Sequence, residues 1–225
     1  DVLTEDNSLY VGNDPSSTTS TAEYNIAVGI TALDAVTTGD KNTAVGHDAL
    51  SNNTTGSFNS ALGWYTLFKN TTGSYNTAVG LKALTQNTTG QYNTAVGTFS
   101  LNDNSTGEGN SALGYSALEE NTSGSYNTAF GYKALEYNQT GIKNTASGMY
   151  SLYFNTSGDY NTASGFDALR NNTTGNYNTA MGHEAGRYIT TGSNNTAMGD
   201  EAGDLITTGS NNTIIGYGAD PSANN

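Results

Sequence analysis

Polar and apolar residues along this chain return at a fixed interval of 17. The motif typified by Asn76-Thr77-Ala78-Val79-Gly80 has its first Asn at 25, 42, 59, 76, 93, 110, 127, 144, 161, 178, 195 and 212, with no insertion or deletion between copies. A strict period of this size is the signature of a solenoid of stacked coils. The consensus unit reads N-T-A-V-G-x-x-A-L-x-x-N-T-T-G-x-Y.

From the seventeenth position through the fifth, the unit alternates with a period of two, which predicts a strand. Tyr75, Thr77 and Val79 share one face and Asn76, Ala78 and Gly80 the other. The second face is nearly invariant: Asn and Gly in all twelve copies, Ala in eleven. A face that admits nothing larger than Ala is tightly packed, and Gly is required where backbone crowds or φ turns positive. Asn42, Asn59, Asn76, Asn93, Asn110, Asn127, Asn144, Asn161, Asn178 and Asn195 are therefore expected to form an amide ladder, each side chain bonding its neighbours in the stack. A second short strand is expected around Ala83-Leu84, followed by a turn at Asn87-Thr88-Thr89-Gly90 with its glycine at positive φ. The units starting at 178 and 195 replace Leu by Gly186 and Gly203, and Asn by Ile189 and Ile206. The apolar group lost at the ninth position returns at the twelfth, so both positions should reach one pocket, with the turn rerouted.

The fold class read here is all-β, a β-solenoid of 17-residue coils. Residues 1–24 form an N-terminal capping segment, with a strand at Asn7–Gly12 and a turn at Asp14-Pro15-Ser16-Ser17. Residues 25–216 are the twelve repeats, and 217–225 are an exit segment of what is expected to be a longer chain. Each coil also carries a size-tolerant apolar face that one thin coil cannot cover. Three copies closing on an axis would bury it, which predicts a homotrimer.

Composition changes this picture in one respect. Leu, Ile, Val and Phe make up only 35 of 225 residues and the net charge is −13, values typical of disorder. The periodicity overrides that reading, because stacked coils bury small residues and pair backbone between coils. Seven Lys or Arg against twenty Asp or Glu argue against nucleic acid and anionic membranes as partners. There is no cysteine, and no apolar run long enough to cross a bilayer.

The Asn-Ser/Thr-Ala-x-Gly half-motif resembles the YadA-like head repeats of trimeric autotransporter adhesins, as does Asn7-Ser8-Leu9-Tyr10-Val11-Gly12. The full unit N-T-A-V-G-x-x-A-L-x-x-N-T-T-G is similar to repeats of phage tail-fibre proteins. The resemblance spans 7–219 and implies a left-handed parallel β-roll, assembled as an intertwined or side-by-side homotrimer. It departs from the adhesin heads in its longer, 17-residue unit. It also implies an extracellular location, on a virion tail fibre or a bacterial cell surface.

Candidate sites lie off the consensus. Asp167, Glu184 and Glu201 occupy the seventh position of consecutive units, with Asp200 and His183 adjacent. Stacked about 5 Å apart, these carboxylates suit a hard cation such as Ca²⁺, although the competing reading is a solvated acidic face. No other metal or cofactor is expected. Trp64, Tyr65 and Phe68 cluster in one unit, and Tyr150, Tyr153 and Phe154 in another; aromatic faces of this kind anchor glycans or protein receptors. The sixth-position column that includes Trp64 could instead be trimer contact. No nucleophile, phosphate-loop or metalloprotease motif is present, so no enzyme activity is expected. The expectation is a structural and adhesive segment of an extracellular trimeric fibre that attaches to a host or surface. Its rivals are an ice-binding solenoid, from the Thr columns at positions thirteen and fourteen, and a glycan-cleaving fibre using carboxylates such as Glu119, Glu120 or Glu136.

Overall fold

The computed structural model describes residues 2–5, 7–12 and 21–220. The turn expected at Asp14–Ser17 and the last five residues of the exit segment lie outside them. The chain divides into two compact units, Asp1–Asn110 and Ser111–Asn225. The first contains β1 (Val2–Glu5), β2 (Ser8–Val11), β3 (Ile26–Val28), β4 (Thr43–Val45), β5 (Ser60–Leu62), β6 (Thr77–Val79) and β7 (Thr94–Val96). The second contains β8 (Ser111–Leu113), β9 (Thr128–Phe130), β10 (Thr145–Ser147), β11 (Thr162–Ser164), β12 (Thr179–Met181), β13 (Thr196–Met198) and β14 (Thr213–Ile215). Each unit is a β-solenoid: every 17 residues the chain returns to the same parallel sheet in the same register, as in Thr77↔Thr94 and Thr179↔Thr196.

Only one strand forms per coil, and it covers positions two to four. The seventeenth position is left-handed (Tyr75 φ 60°), which shortens the expected strand at its start. Outward and inward alternation nevertheless holds: Asn76 and Ala78 are fully buried, while Tyr75 and Thr77 are exposed.

The Ala-Leu segment is a turn and not a second strand. Lys82 and Leu84 sit at φ 56° and 53° with Ala83 between them, and the same alternation recurs coil after coil. It bends the backbone inward so that Leu84 is fully buried and the coil closes. The segment still bonds from coil to coil, Lys82 N–H to the Trp64 carbonyl at 2.9 Å and Leu84 N–H to that of Ser100 at 3.0 Å. A left-handed leucine costs about 1–2 kcal/mol, which burying its side chain, at about 1.5–3 kcal/mol, offsets.

The two glycine columns have different causes. At the fifth position φ runs from 126° to 140° between Gly29 and Gly216, and a Cβ on Gly80 would meet the Gly97 carbonyl at 2.8 Å. At the fifteenth position, where positive φ was expected, none is found. Gly90 is glycine because a Cβ there would lie 2.4 Å from both Asn87 Oδ1 and the carbonyl of Gly107.

The asparagines at position one do bond side chain to side chain, Asn59 Nδ2 to Asn42 Oδ1 at 3.1 Å, Asn76 Nδ2 to Asn59 Oδ1 at 3.2 Å and Asn195 Nδ2 to Asn178 Oδ1 at 3.1 Å, and they make shorter bonds to backbone as well. Asn76 Nδ2 donates to the Gly90 carbonyl at 2.9 Å, tying the start of its coil to the end. Asn59 Oδ1 accepts the backbone N–H of Asn76 at 3.0 Å, tying coil to coil. A second amide ladder, with shorter bonds, runs through position twelve. Asn70 Nδ2 donates to Asn53 Oδ1, and Asn87 Nδ2 to Asn70 Oδ1, each at 2.7 Å. In the second unit the same ladder links Asn121, Asn138, Asn155 and Asn172.

Gly186 and Gly203 confirm a shared pocket. A Cβ on Gly186 would lie 3.1 Å from Ile189 Cδ1, so Ile189 fills the place of the missing leucine. Around Gly203, Ile206 is joined by Ile214, whose Cδ1 would be 3.3 Å from that Cβ. The turn is not rerouted: Gly186 keeps the left-handed φ of its leucine counterparts, at 61°, and its N–H still reaches the next coil.

Larger inward residues occur at the ends. Tyr10 is buried where the repeats carry Ala, and Ser8 Oγ accepts the N–H of Asn25 at 2.9 Å in place of an asparagine. β1 pairs antiparallel along β2, opposite β3.

Candidate binding surface

The sheet's outward columns are positions seventeen, two and four, and the turn adds position six. In the first unit the seventeenth-position rings stack face to face, Phe58 on Tyr75 at 4.8 Å and Tyr75 on Tyr92 at 5.1 Å. Lys41 Nζ lies 4.9 Å from the Phe58 centroid. In the second unit Tyr160 stacks on Tyr177 at 4.9 Å, and Lys143 Nζ donates to the Tyr160 hydroxyl at 3.1 Å. These rings occupy one another's faces and turn their edges to solvent. Position four is largely exposed and apolar, as at Leu62, Leu113, Phe130 and Met181.

Trp64, Tyr65 and Phe68 do come together. Trp64 meets Tyr65 edge-on at 4.5 Å, and Tyr65 leans on Phe68 at 4.8 Å. Trp64 is 47% exposed in the single chain. The charge of Asp48, aided by burial and a hydrogen bond to it, holds the Tyr65 phenol above its ordinary range. Lys82 Nζ stands 5.9 Å from the indole. Phe68 also walls a shallow cleft of about 380 Å³ with Asn52, Lys69, Thr71 and Thr88.

Tyr150, Tyr153 and Phe154 also cluster, but their own chain already engages them. The Arg170 guanidinium lies 5.6–5.7 Å from all three ring centroids. Burial, with a hydrogen bond to Tyr137, pushes the Tyr153 phenol up to about 12. This patch is an occupied cation–π cage; in the first cluster Trp64 is the exposed ring, while Tyr65 and Phe68 are half-buried and His47 stacks on Tyr65 at 6.1 Å.

The carboxylate column is paired with arginines. Asp167, buried, lies 3.6 Å from Arg170 and 3.4 Å from Arg187, while Glu184 binds Arg187 at 2.7 Å. Asp200 bonds His183 Nδ1 at 2.7 Å. Guanidinium groups thus stand where a metal ion was considered, and among the described residues no group of three or more His, Asp or Glu is placed to hold one. Burial still raises the Asp167 carboxyl above the usual carboxylate range, against the pull of both arginines. Glu136, raised likewise by burial, is held by Lys133 at 3.0 Å. The signal for this pairing was opposite charge at the seventh and tenth positions of one unit: Lys133/Glu136, Asp167/Arg170 and Glu184/Arg187.

The threonine columns separate by function. Thr54, Thr71 and Thr88 at position thirteen donate their hydroxyls to the next coil's backbone at 2.9–3.1 Å. Position two presents an exposed column instead, including Thr77, Thr94, Thr128, Thr145 and Thr162. No helix of the described residues is long and apolar enough to cross a membrane. Comparison with protein-family models, curated proteins and solved structures finds no match to this chain.

Proposed function

We propose that this chain is a structural and adhesive segment of a homotrimeric extracellular fibre, of the phage tail-fibre or bacterial surface-adhesin kind, that mediates attachment to a host or surface. The observation that carries this reading is the outer face of each unit. Aromatic rings and aliphatic side chains stand exposed there in most coils, although the coil interior is closed with alanine, leucine and asparagine. A soluble chain rarely leaves so much apolar surface uncovered unless a partner covers it, and identical copies sharing that face give closed symmetry. The left-handed roll implied by the adhesin-head and tail-fibre resemblance fits this assembly. Attachment is assigned to the Trp64 cluster, whose exposed indole serves no coil-building role. Light scattering after size exclusion tests the assembly. The trimer predicts about three times the 23.4 kDa chain mass, and a folded monomer would refute it.

One observation favours a second reading, ice binding: the exposed threonine column at position two, in register on a parallel sheet. Bulky rings at position seventeen and mixed residues at position four flank it and spoil a flat array. Thermal hysteresis, absent on the first reading and present on the second, separates them.

A further inference from the structure

The surface around Trp64 carries enough chemistry to name the class of ligand it takes. We propose that the Trp64–Phe68 surface and the adjoining cleft bind an acidic saccharide, a uronic-acid-type sugar, with Lys69 and Lys82 receiving its carboxylate. This rests on the attachment role given to that cluster above.

The first argument is charge. The chain carries only seven cationic side chains against twenty acidic ones. Lys133, Arg170 and Arg187, all in the second unit, are tied to carboxylates. Lys69 and Lys82 make no ion pair among the described residues. Lys69 lines the cleft, and Lys82 stands over the Trp64 ring. In so acidic a protein, two ammonium groups without carboxylate partners beside the exposed Trp64 ring are complementary to an anion.

The second argument is hydrogen bonding. Asn52 spends its amide hydrogens on the Phe68 carbonyl at 2.8 Å and on Ser51 Oγ at 3.4 Å, leaving Oδ1 as an acceptor. Thr71 and Thr88 each donate their hydroxyl hydrogen to a backbone carbonyl of the next coil. Their oxygens can therefore only accept. A mostly apolar cleft with an aromatic wall, a few acceptor oxygens and an ammonium group suits a ligand with a C–H face, a few O–H donors and one negative charge. A phosphate polymer would bring the charge without the donors. The volume, about 380 Å³, falls in the lower part of the range of small-ligand sites.

The test uses the full chain and its single tryptophan. Oligogalacturonate and its methyl ester share a backbone and differ in charge, so titrating each while following Trp64 emission isolates the carboxylate. The acid form should bind about tenfold or more tighter than the ester. That advantage should shrink as salt rises from about 20 to about 200 mM. The double variant Lys69→Gln/Lys82→Gln, checked for folding by circular dichroism, should erase the acid form's advantage over the ester. Equal binding of both forms would overturn the acidic specificity while leaving a saccharide site at Trp64 intact. So would an acid preference that survives the double variant. If neither form moves the emission, both the inference and the attachment role of the cluster fall.

Discussion

The swap of leucine for isoleucine in the late coils can be transplanted, and its cost should depend on where. Leu84→Gly empties a fully buried site. Losing the side chain costs about 2–5 kcal/mol. Glycine then recovers about 1–2 kcal/mol because φ is left-handed there, and gives back about 0.5–1 in chain entropy. Asn87→Ile should refill the hole, as Ile189 does beside Gly186, for a gain of about 1.5–3 kcal/mol. However, Asn87 sits mid-ladder. Its removal orphans Asn70 Oδ1, which accepts from it at 2.7 Å, and one Asn104 hydrogen, which it accepts at 2.9 Å. The Gly90 carbonyl keeps its bond from Asn76. Two orphans at about 1–3 kcal/mol each outweigh the refilled pocket.

At Leu169 and Asn172 the balance differs, because the next coil already carries Ile189. Asn172→Ile orphans Asn155 Oδ1, to which Asn172 donates at 2.7 Å, and otherwise loses only a long 3.5 Å bond from Asn178 Nδ2, which keeps the Gly192 carbonyl; the Gly175 carbonyl keeps its bond from Asn161. The pair Leu169→Gly/Asn172→Ile should therefore be about 1–3 kcal/mol more stable than Leu84→Gly/Asn87→Ile. Within each pair the double variant should beat the sum of its singles by about 2 kcal/mol or more, since isoleucine placed beside an intact leucine overpacks the pocket. Urea unfolding at fixed chain concentration, followed by circular dichroism, measures both quantities. Additivity within about 0.5 kcal/mol at either site would refute the shared pocket, and equal stability of the two double variants would refute the ladder argument.

Three further outcomes follow from the same geometry. Gly80→Ala should destabilise severely, by about 3 kcal/mol or more, because its Cβ meets carbonyl atoms at 2.8 Å on a φ of 126°; Gly218→Ala, with nothing within 4 Å of its Cβ, should cost about 1 kcal/mol in the same thermal melts. Asp167 has its carboxyl raised by burial, so its proton-linked stability is complete below the unfolded value near 4 and is lost as pH rises through the folded value; on acidification from pH 7 to 4, Asp167→Asn should therefore gain less in melting temperature than the parent, and an equal gain would contradict the assignment. Expressed through a eukaryotic secretory pathway, folded protein should carry glycans at exposed Asn52 or Asn194 and none at Asn87 or Asn155, whose amides are buried and bonded; peptide mass spectrometry reads this directly.

The period, the inward face and the shared pocket were legible in the sequence because each rests on identity or compensation across coils. Asn76, Ala78 and Gly80 cannot vary without breaking contacts repeated in every coil, so they announce their face. The turn at Leu84 was not legible, since leucine rarely adopts a left-handed φ and Ala-Leu reads as strand. Gly90 was attributed to positive φ when its cause is the neighbouring coil's carbonyl, a contact that one coil's sequence cannot display. The ladder in the column of Asn76 was legible because that motif dominates, but the shorter-bonded one at position twelve was not. The eight asparagines from Asn53 to Asn172 at position twelve recur as regularly, yet read locally as turn formers. The carboxylates at Asp167 and Glu184 looked like a like-charge column until the arginines three residues on were set against them.

The two glycine columns have a consequence for how such a gene can change. Removing one residue from a coil would slide a side chain into the space where Gly80 and Gly97 touch, and would turn the asparagine column outward. Removing a whole unit, such as residues 76–92, would bring Asn59 and Asn93 together with every donor facing an acceptor as before. Length in this molecule is therefore quantised, and unequal crossing-over between in-phase copies of the repeat yields shorter or longer chains that remain foldable. The outward positions travel with their coils in such exchanges. New combinations of aromatic and charged residues can thus be shuffled along the surface while the interior stays unaltered.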